Sequence, residues 1–375
     1  MSSNAIVIGA GIVGLATARA LALKGYQVTI VERTDKAVGA SIRNFGMIWP
    51  IGQPAGKLYN RAIRSKIIWK EIADKIGLCY NECGSLHTAY YQDEWQVLNE
   101  LNTAFKNEER AVTLMSKQQI EEKFNGINSN NLIGGLYSST ETIVDPREAI
   151  EKVAIYLQEH LKVKFIWGQA VTRVEQGKVY FGNKLVDTDL VCICSGADFE
   201  TLFPEVFSAL AITKCKLQMM RFASTQANFR IGTAVCGGLS LIHYNSFKVA
   251  PSLLHLKARY EQEMEAYLNW GIHVMVSQNN NGELTVGDSH EYGLTFDPFD
   301  NHHINQLILN YLQQFCNIQD WKLTQTWNGI YPKLTDGNTD VVLNPLSGVY
   351  ILNGLGGAGM TLSFGFAEEA VHQFA

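Results

Sequence analysis

Four consecutive apolar residues, Ala5-Ile6-Val7-Ile8, predict a buried strand at the start of the chain. They run into a glycine-spaced turn at 9–14 and an alanine-rich stretch, 15–24, which predicts a helix stopped by Gly25. Residues 28–31 then predict a second buried strand, so the N-terminal segment reads as a βαβ unit. Further on, the apolar spacing is helical over 63–76, 93–109 and 117–124, and extended over 84–89. Asp145-Pro146-Arg147-Glu148 sets a capping carboxylate, a proline at the first helical position and an early acid in a row, which predicts a helix from 146 to about 160. Strands are expected at 163–174, 178–181 and 190–194, the last ending at Ser195-Gly196-Ala197. The stretch 213–293 is expected to be mostly strand, with a hairpin turn at Asn279-Asn280-Asn281-Gly282. An amphipathic helix at 304–315, a strand at 349–352, a glycine loop at 354–359 and a last helix reaching 374 complete the pattern.

At 375 residues the chain is longer than one core usually organises, so two domains are expected. Hydrophobic residues make up 46% and charged residues 18%, an ordinary globular balance, and a net charge of −5 offers no field for nucleic acid. No nucleic-acid partner is therefore expected, and an anionic substrate needs a local basic pocket. No apolar run reaches the roughly 18 residues of a spanning helix, and residues 1–4 lack signal-peptide character. A cytoplasmic protein without stable membrane insertion is the expectation. The seven cysteines are scattered without a Cys-x-x-Cys pair, and Cys192 and Cys194 fall in an apolar strand. Adjacent His302 and His303 point apart on a helix. Neither disulfide nor metal site is expected.

The chemistry begins at Gly9-x-Gly11-x-x-Gly14, between a strand and a helix that opens with Ile12 and Val13. Glycine there permits a tight turn, close approach of backbone to a pyrophosphate and close packing of helix on strand, with the helix N-terminus facing the phosphates. Glu32 follows Gly14 by 18 residues, where a carboxylate accepts hydrogen bonds from both ribose hydroxyls, which argues against a 2′-phosphate. After Glu32 comes Gly39-Ala40-Ser41-x-x-Asn44-x-Gly46, a small-residue loop suited to wrapping a cofactor larger than NAD. Gly354-Leu355-Gly356-Gly357-Ala358-Gly359-Met360-Thr361 later opens the last helix, whose N-terminus suits the negative charge of a reduced flavin. FAD is the expected cofactor.

These pieces, with Cys194-Ser195-Gly196-Ala197 and Trp327-x-Gly329-x-x-Pro332 followed by Asp336-Gly337, make the chain resemble the D-amino-acid-oxidase-like superfamily of FAD oxidoreductases, which includes glycine and sarcosine oxidases. The likeness spans nearly the whole length. It implies that Glu32 holds the ribose and Arg33 the adenine edge, that Ser41, Arg43, Asn44, Gly46 and Met47 lie near pyrophosphate and isoalloxazine, and that Val171 gives backbone contacts to adenine. Ser195, Gly196, Gly329 and the terminal loop from Gly354 to Thr361 belong to the same expected cofactor set. Carboxylate-binding members commonly carry arginine before the proline of Trp-x-Gly-x-Arg-Pro, where this chain has Tyr331. The bidentate clamp is missing. The run Ser41-Ile42-Arg43-Asn44-Phe45-Gly46-Met47-Ile48-Trp49-Pro50, with Gly287-Asp288-Ser289-His290-Glu291-Tyr292, is similar to a branch proposed to oxidise aminophosphonates related to 2-aminoethylphosphonate.

The fold expected is α/β: an FAD-binding Rossmann-like domain (1–79, 146–211, 326–375) with an interleaved α+β substrate domain (80–145, 212–325) containing a mainly antiparallel sheet. The expected reaction passes a hydride from the carbon bearing the nitrogen of a small anionic amine to flavin N5, followed by imine hydrolysis and reoxidation by oxygen or another acceptor. Candidate wall residues are Arg43, Met47, His243, Tyr244, Lys248, His290, Tyr331 and Lys333. Each has a plain structural alternative. His243 and Tyr244 are expected to alternate across a strand, so that at most one faces the flavin. A turn role competes for His290, solvation for the two lysines and packing for Trp327. Two other readings stay open: an amino-acid or N-methyl amino-acid oxidase binding carboxylate through other residues, and a non-catalytic flavin-binding protein.

Overall fold

The computed structural model describes residues 3–226, 228–317 and 320–374; Met1 and Ala375, the outer limits of the expected FAD-binding segments, lie outside them. Among the described residues the strand Asn4–Ile8 is central to a six-stranded sheet. Gln27–Val31 and Lys164–Ile166 extend the sheet on one side of it, and Leu190–Ile193, Val349–Asn353 and Val341–Leu346 on the other. All pairs are parallel except the edge pair Val341–Leu346 with Val349–Asn353. The unbroken apolar run at the N-terminus follows from burial on both faces. Ala5 and Val7 enter the core shared with helices Ile12–Leu23, Pro146–Leu161 and Gly359–His372. Ile6 and Ile8 pack the other way, against a small antiparallel sheet of Val171–Glu175, Lys178–Phe181 and Lys184–Asp187.

A second sheet of nine strands carries the other core. It is antiparallel throughout apart from one parallel pair, Ala234–Cys236 with Ser85–Ala89. Its longest ladder joins Ile212–Ser224 to Trp321–Leu334, with Tyr331 opposite Cys215 and Lys333 opposite Thr213. The hairpin at 279–282 forms as its asparagines and glycine require, between Met275–Gln278 and Leu284–Gly287. Helices Gln92–Asn107, Leu253–Glu263 and His302–Phe315 pack their apolar stripes on this core.

Three expectations need correction. The stretch 213–293 is not mostly strand: two 3-10 turns, Gly238–Ile242 and Asn245–Val249, and helices Leu253–Glu263 and Glu265–Leu268 interrupt it. Leu253, Leu256 and Tyr260 recur at helical spacing and are all buried, a signal hidden among the surrounding short apolar runs. The stretch 163–174 is two strands in different sheets, parted where Gly168 takes φ +70°. Finally, Trp321–Leu334 is one strand that runs through position 326, the expected domain boundary, because its polar first half hides its ladder partner.

The last helix is held in place by charge. Arg61, on helix Lys57–Ile76, has a side chain only 1% exposed and donates Nε and Nη2 to the two carboxylate oxygens of Glu369 at 3.0 and 2.7 Å, with Asp340 on Nη1. Arg19 and Arg64 share Glu368 on the same helix. A bidentate pair of this kind fixes orientation as well as position. Arg61→Ala takes the buried cation from Asp340 and leaves Glu369 with the peripheral Lys57 alone, and we expect a loss of about 2 kcal/mol, discounted for the carboxylates' exposure. A thermal melt of the FAD-loaded protein should read this as a Tm lower by several degrees, with Lys57→Ala, a peripheral partner of Glu369, as the near-neutral control.

Candidate active site

The first glycine turn is set by steric necessity. A Cβ on Gly14 would lie 1.9 Å from the Gly9 carbonyl oxygen, and Gly9 itself, at φ +103°, sits over the Cys194 carbonyl. Backbone therefore replaces side chain at the start of helix Ile12–Leu23, whose N-cap, Gly11, makes no side-chain cap. Glu32 closes the turn from the next strand: its Oε2 accepts the Ala10 amide at 2.8 Å, and its Oε1 accepts the amide and hydroxyl of Thr34. Carboxylate lone pairs remain for further hydroxyl donors. Ser41 Oγ accepts the Ile12 amide at 2.9 Å, bringing the loop that follows Glu32 onto the same helix start. Within that loop Asn44 donates to the carbonyls of Ala40 and Ser41 and accepts the Gly46 amide.

The second glycine loop arrives beside the first. A methyl on Gly359 would stand 3.5 Å from Ile12 Cγ2, so the first turns of Ile12–Leu23 and Gly359–His372 abut. Ala358, the N-cap of the last helix, likewise makes no side-chain cap. Thr361 Oγ1 accepts the Trp49 amide, Trp69 Nε1 donates to the Met360 carbonyl, and Asn353 Nδ2 donates to the Gly196 carbonyl, which ties the loop after Leu190–Ile193 to the terminal one. Ser195 Oγ is turned to the Asp198 carbonyl. Val171 is buried at the head of its strand, and the exposed Arg33 guanidinium pairs with Asp198 at 2.8 Å. Two helix N-termini side by side, the first with its Ile12 amide on Ser41 and the second without a side-chain cap, with a carboxylate at the end of the neighbouring strand, fit a dinucleotide whose phosphates and flavin both need positive dipole ends.

Beyond that cradle the substrate-facing candidates gather. A methyl on Gly357 would be 3.5 Å from the Tyr331 hydroxyl and one on Gly356 would be 3.6 Å from Lys333 Cδ, so the end of Trp321–Leu334 overhangs the second glycine loop. Opposite stand three imidazoles: the His243 and His273 ring centres are 3.6 Å apart, and His290 is 5.0 Å from each. His290 Nδ1 lies 2.9 Å from the Gly271 carbonyl oxygen, and Asp288 reaches between His273 and His290. Burial holds all three imidazoles below their usual range, His290 at about 4, with the Lys333 charge adding to the effect on His243 and His290. The same burial raises the Asp288 carboxyl and the Tyr331 phenol. His243 keeps exposed surface, whereas His273 and His290 are buried.

His243 and Tyr244 do not alternate across a strand. They occupy the bend between two 3-10 turns, their rings meet edge-on at 5.1 Å, and both turn toward His273, with Tyr244 donating to Met275 Sδ. Arg43 is not among the gathered groups: its guanidinium donates to the Asn328 carbonyl and lines a separate hollow of about 490 Å³ with Arg147, Asp300 and Trp327. Gly329 packs on the Arg43 backbone, and Met47 is buried in the nine-strand core. Lys248 is exposed on its turn, and Trp327 lies beside Arg147 and donates to the Arg43 carbonyl. No local pattern marks His273 or Asp288, which the fold brings beside His290. The expectation of no metal-ligating group rested on local spacing, and positions 243, 273 and 290 have none to show; their ligand atoms nevertheless lie within 4.8 Å of one another.

A model of the family described as DAO, FAD dependent oxidoreductase, matches residues 4–373. The chain belongs to this family. Its cofactor is FAD and it is an oxidoreductase. A DAO-family match to a curated protein is the bifunctional tRNA 5-methylaminomethyl-2-thiouridine biosynthesis protein MnmC of Pseudomonas savastanoi pv. phaseolicola, 26% identical over 241 residues, which are 62% of this chain and 35% of that protein. The match thus takes in about a third of the relative. Glycine oxidase of Pseudomonas aeruginosa is 47% identical over 51 residues, 14% of each chain. Among solved structures, glycine oxidase from Bacillus cereus superposes with a TM-score of 0.80 at 16% identity, covering 100% of this chain and 95% of that one. L-Proline dehydrogenase from P. horikoshii superposes at 0.79 and 20% identity, covering 99% and 92%. At these identities the superpositions establish the fold, and the DAO architecture is the one seen here. No helix among the described residues is long and apolar enough to cross a membrane.

One substitution tests the cradle. In Gly14→Ala the new methyl collides with backbone, so helix and strand must part, and we expect FAD affinity to fall at least about tenfold. Flavin retained after gel filtration, with circular dichroism to confirm folding, is the measurement.

Proposed function

We propose that the protein oxidises a small amine bearing a tetrahedral oxyanion, an aminophosphonate related to 2-aminoethylphosphonate. The observation that carries the reading is the meeting of Tyr331 and Lys333 over the second glycine loop, facing the His243 wall. Lys333 is a compact point charge and Tyr331 a single hydroxyl, a pair that suits a tetrahedral anion and cannot reproduce the planar fork of arginine on a carboxylate. The relatives' names support an amine donor: glycine, proline and a methylaminomethyl group each carry nitrogen on carbon.

Bound FAD supplies the acceptor for the electron pair leaving the carbon that bears the nitrogen. The chain's part is to hold the anion at the Lys333 end, so that the amine carbon lies over the cradle formed by the two helix starts. Trp49, Tyr244 and Met275 pack in one apolar cluster beside His243 and His273, which keeps that side dry. An amine entering uncharged requires no strong base from the protein. The imine leaves to hydrolyse to an aldehyde, and oxygen or another acceptor completes the cycle. Ser41, Asn44 and Gly46 keep their loop in shape against the first helix start, where Glu32 would hold the ribose of bound FAD and Arg33, paired with Asp198, would stand at its adenine end.

Anaerobic mixing of the yellow protein with 2-aminoethylphosphonate or its N-methyl derivative should bleach the visible flavin band. Bleaching by glycine or sarcosine, with no response to either phosphonate, would overturn the substrate class. Lys333→Ala should raise the Kd for the phosphonate by about tenfold, a charge-assisted hydrogen bond's worth, while the limiting rate of bleaching changes less. An unchanged Kd would remove Lys333 from the wall.

A further inference from the structure

The imidazoles that face Lys333 also group with one another, an arrangement that holding an amine does not require. One ring nitrogen from each of His243, His273 and His290 lies within 4.8 Å of the others. Asp288 stands beside two of them, with Oδ1 3.2 Å from His273 Nε2 and Oδ2 3.8 Å from His290 Nε2. His273, Asp288 and His290 are 4%, 5% and 7% exposed, so bulk water does not serve them. Yet neither nitrogen of His273 has a hydrogen-bond partner, nor does Asp288 Oδ1: the closest approach is short enough but misaligned. Buried polar atoms without partners are rare in folded proteins, and three in one contacting group call for a ligand.

The tautomer of His290 indicates its sign. A carbonyl can only accept, so the contact with Gly271 puts the proton on Nδ1 and leaves Nε2 of the neutral ring as a bare lone pair facing Asp288. Metal-bound histidines commonly donate their second ring N–H to a backbone carbonyl in this way. A cation entering here meets the lone pairs of neutral rings.

We propose that His243, His273 and His290 bind a divalent first-row transition ion, with Zn²⁺ as the reference occupant and Asp288 as the acid beside His273. Three imidazole nitrogens form a set suited to such ions and poorly suited to Mg²⁺ or Ca²⁺. Ligands about 2.0–2.1 Å from a common ion stand roughly 3–4 Å apart, so the cluster closes with small side-chain movements, mainly of the exposed His243. Lys333 opposes a cation but is itself exposed, and solvent screens it. The exposed side of His243 leaves a coordination position open. The inference is independent of the amine's identity, because binding of the ion is read with no amine present.

FAD-loaded protein stripped of metal with a chelator is titrated with Zn²⁺ by calorimetry, and metal content is measured after gel filtration. One Zn²⁺ per chain at micromolar Kd or tighter is expected, with His273→Asn and Asp288→Asn each weakening binding by at least about 10–100-fold. Flavin content and circular dichroism show whether each variant folds, and His243→Ala, altered at an exposed position, supplies the same readout if a buried substitution unfolds the chain. Co²⁺ loaded in place of Zn²⁺ should give visible ligand-field bands that His273→Asn abolishes. Absence of saturable Zn²⁺ binding at millimolar concentration, or affinity unchanged in all three variants, overturns the site. Amine bleaching measured on the stripped protein is a separate result: its failure alongside intact Zn²⁺ binding overturns the oxidation proposed above and leaves the metal site standing.

Discussion

The contact between the first turns of Ile12–Leu23 and Gly359–His372 is the constraint on which the rest of the structure depends. Two helix N-termini carry like partial charges, so bringing them together is unfavourable by itself. The sheet enforces it by placing Asn4–Ile8, Leu190–Ile193 and Val349–Asn353 as consecutive parallel strands, each delivering its C-terminal end to the same edge. Behind them, Arg19, Arg61 and Arg64 grip the carboxylates of Glu368 and Glu369 and hold the last helix from its far end. An anionic dinucleotide relieves the repulsion between the helix starts, so cofactor binding and the packing of the two chain ends reinforce each other.

The substrate side follows from the same arrangement. Trp321–Leu334 leaves the nine-strand sheet at the point where the six-strand sheet presents its second glycine loop, and the bridge between Lys333 and Leu355 joins them. Tyr331 and Lys333 are therefore positioned by one sheet over a loop belonging to the other. The opposite wall is made at a bend between 3-10 turns and at two strand ends, where side chains are released from the alternation of a regular strand. That freedom allows His243 and Tyr244, neighbours in sequence, to turn toward the same neighbour, His273.

Much of the glycine-turn geometry was legible in the chain because it is local. Gly9, Gly11, Gly14 and Glu32 stand within one βαβ unit, where backbone geometry alone demands those residue types at those spacings. The loop holding Ser41, Asn44 and Gly46 could be recognised for the same reason, since its hydrogen bonds run largely within itself. Arg43 shows the limit: its place in that loop is local, but the direction of its guanidinium is set by Asn328, 285 residues away.

The sequence by itself determined the βαβ opening, the helices with clear apolar stripes, the hairpin at 279–282 and the glycine turns, because periodicity and turn sterics act over a few neighbouring residues. Tertiary structure alone decided that 213–293 is interrupted by helices, that Trp321–Leu334 pairs along its length with Ile212–Ser224, and that His273 and Asp288 join His243 and His290. Those outcomes depend on packing between segments far apart in the chain. A lone buried histidine carries no periodic mark, so its partners become visible only when the fold has brought them within contact distance.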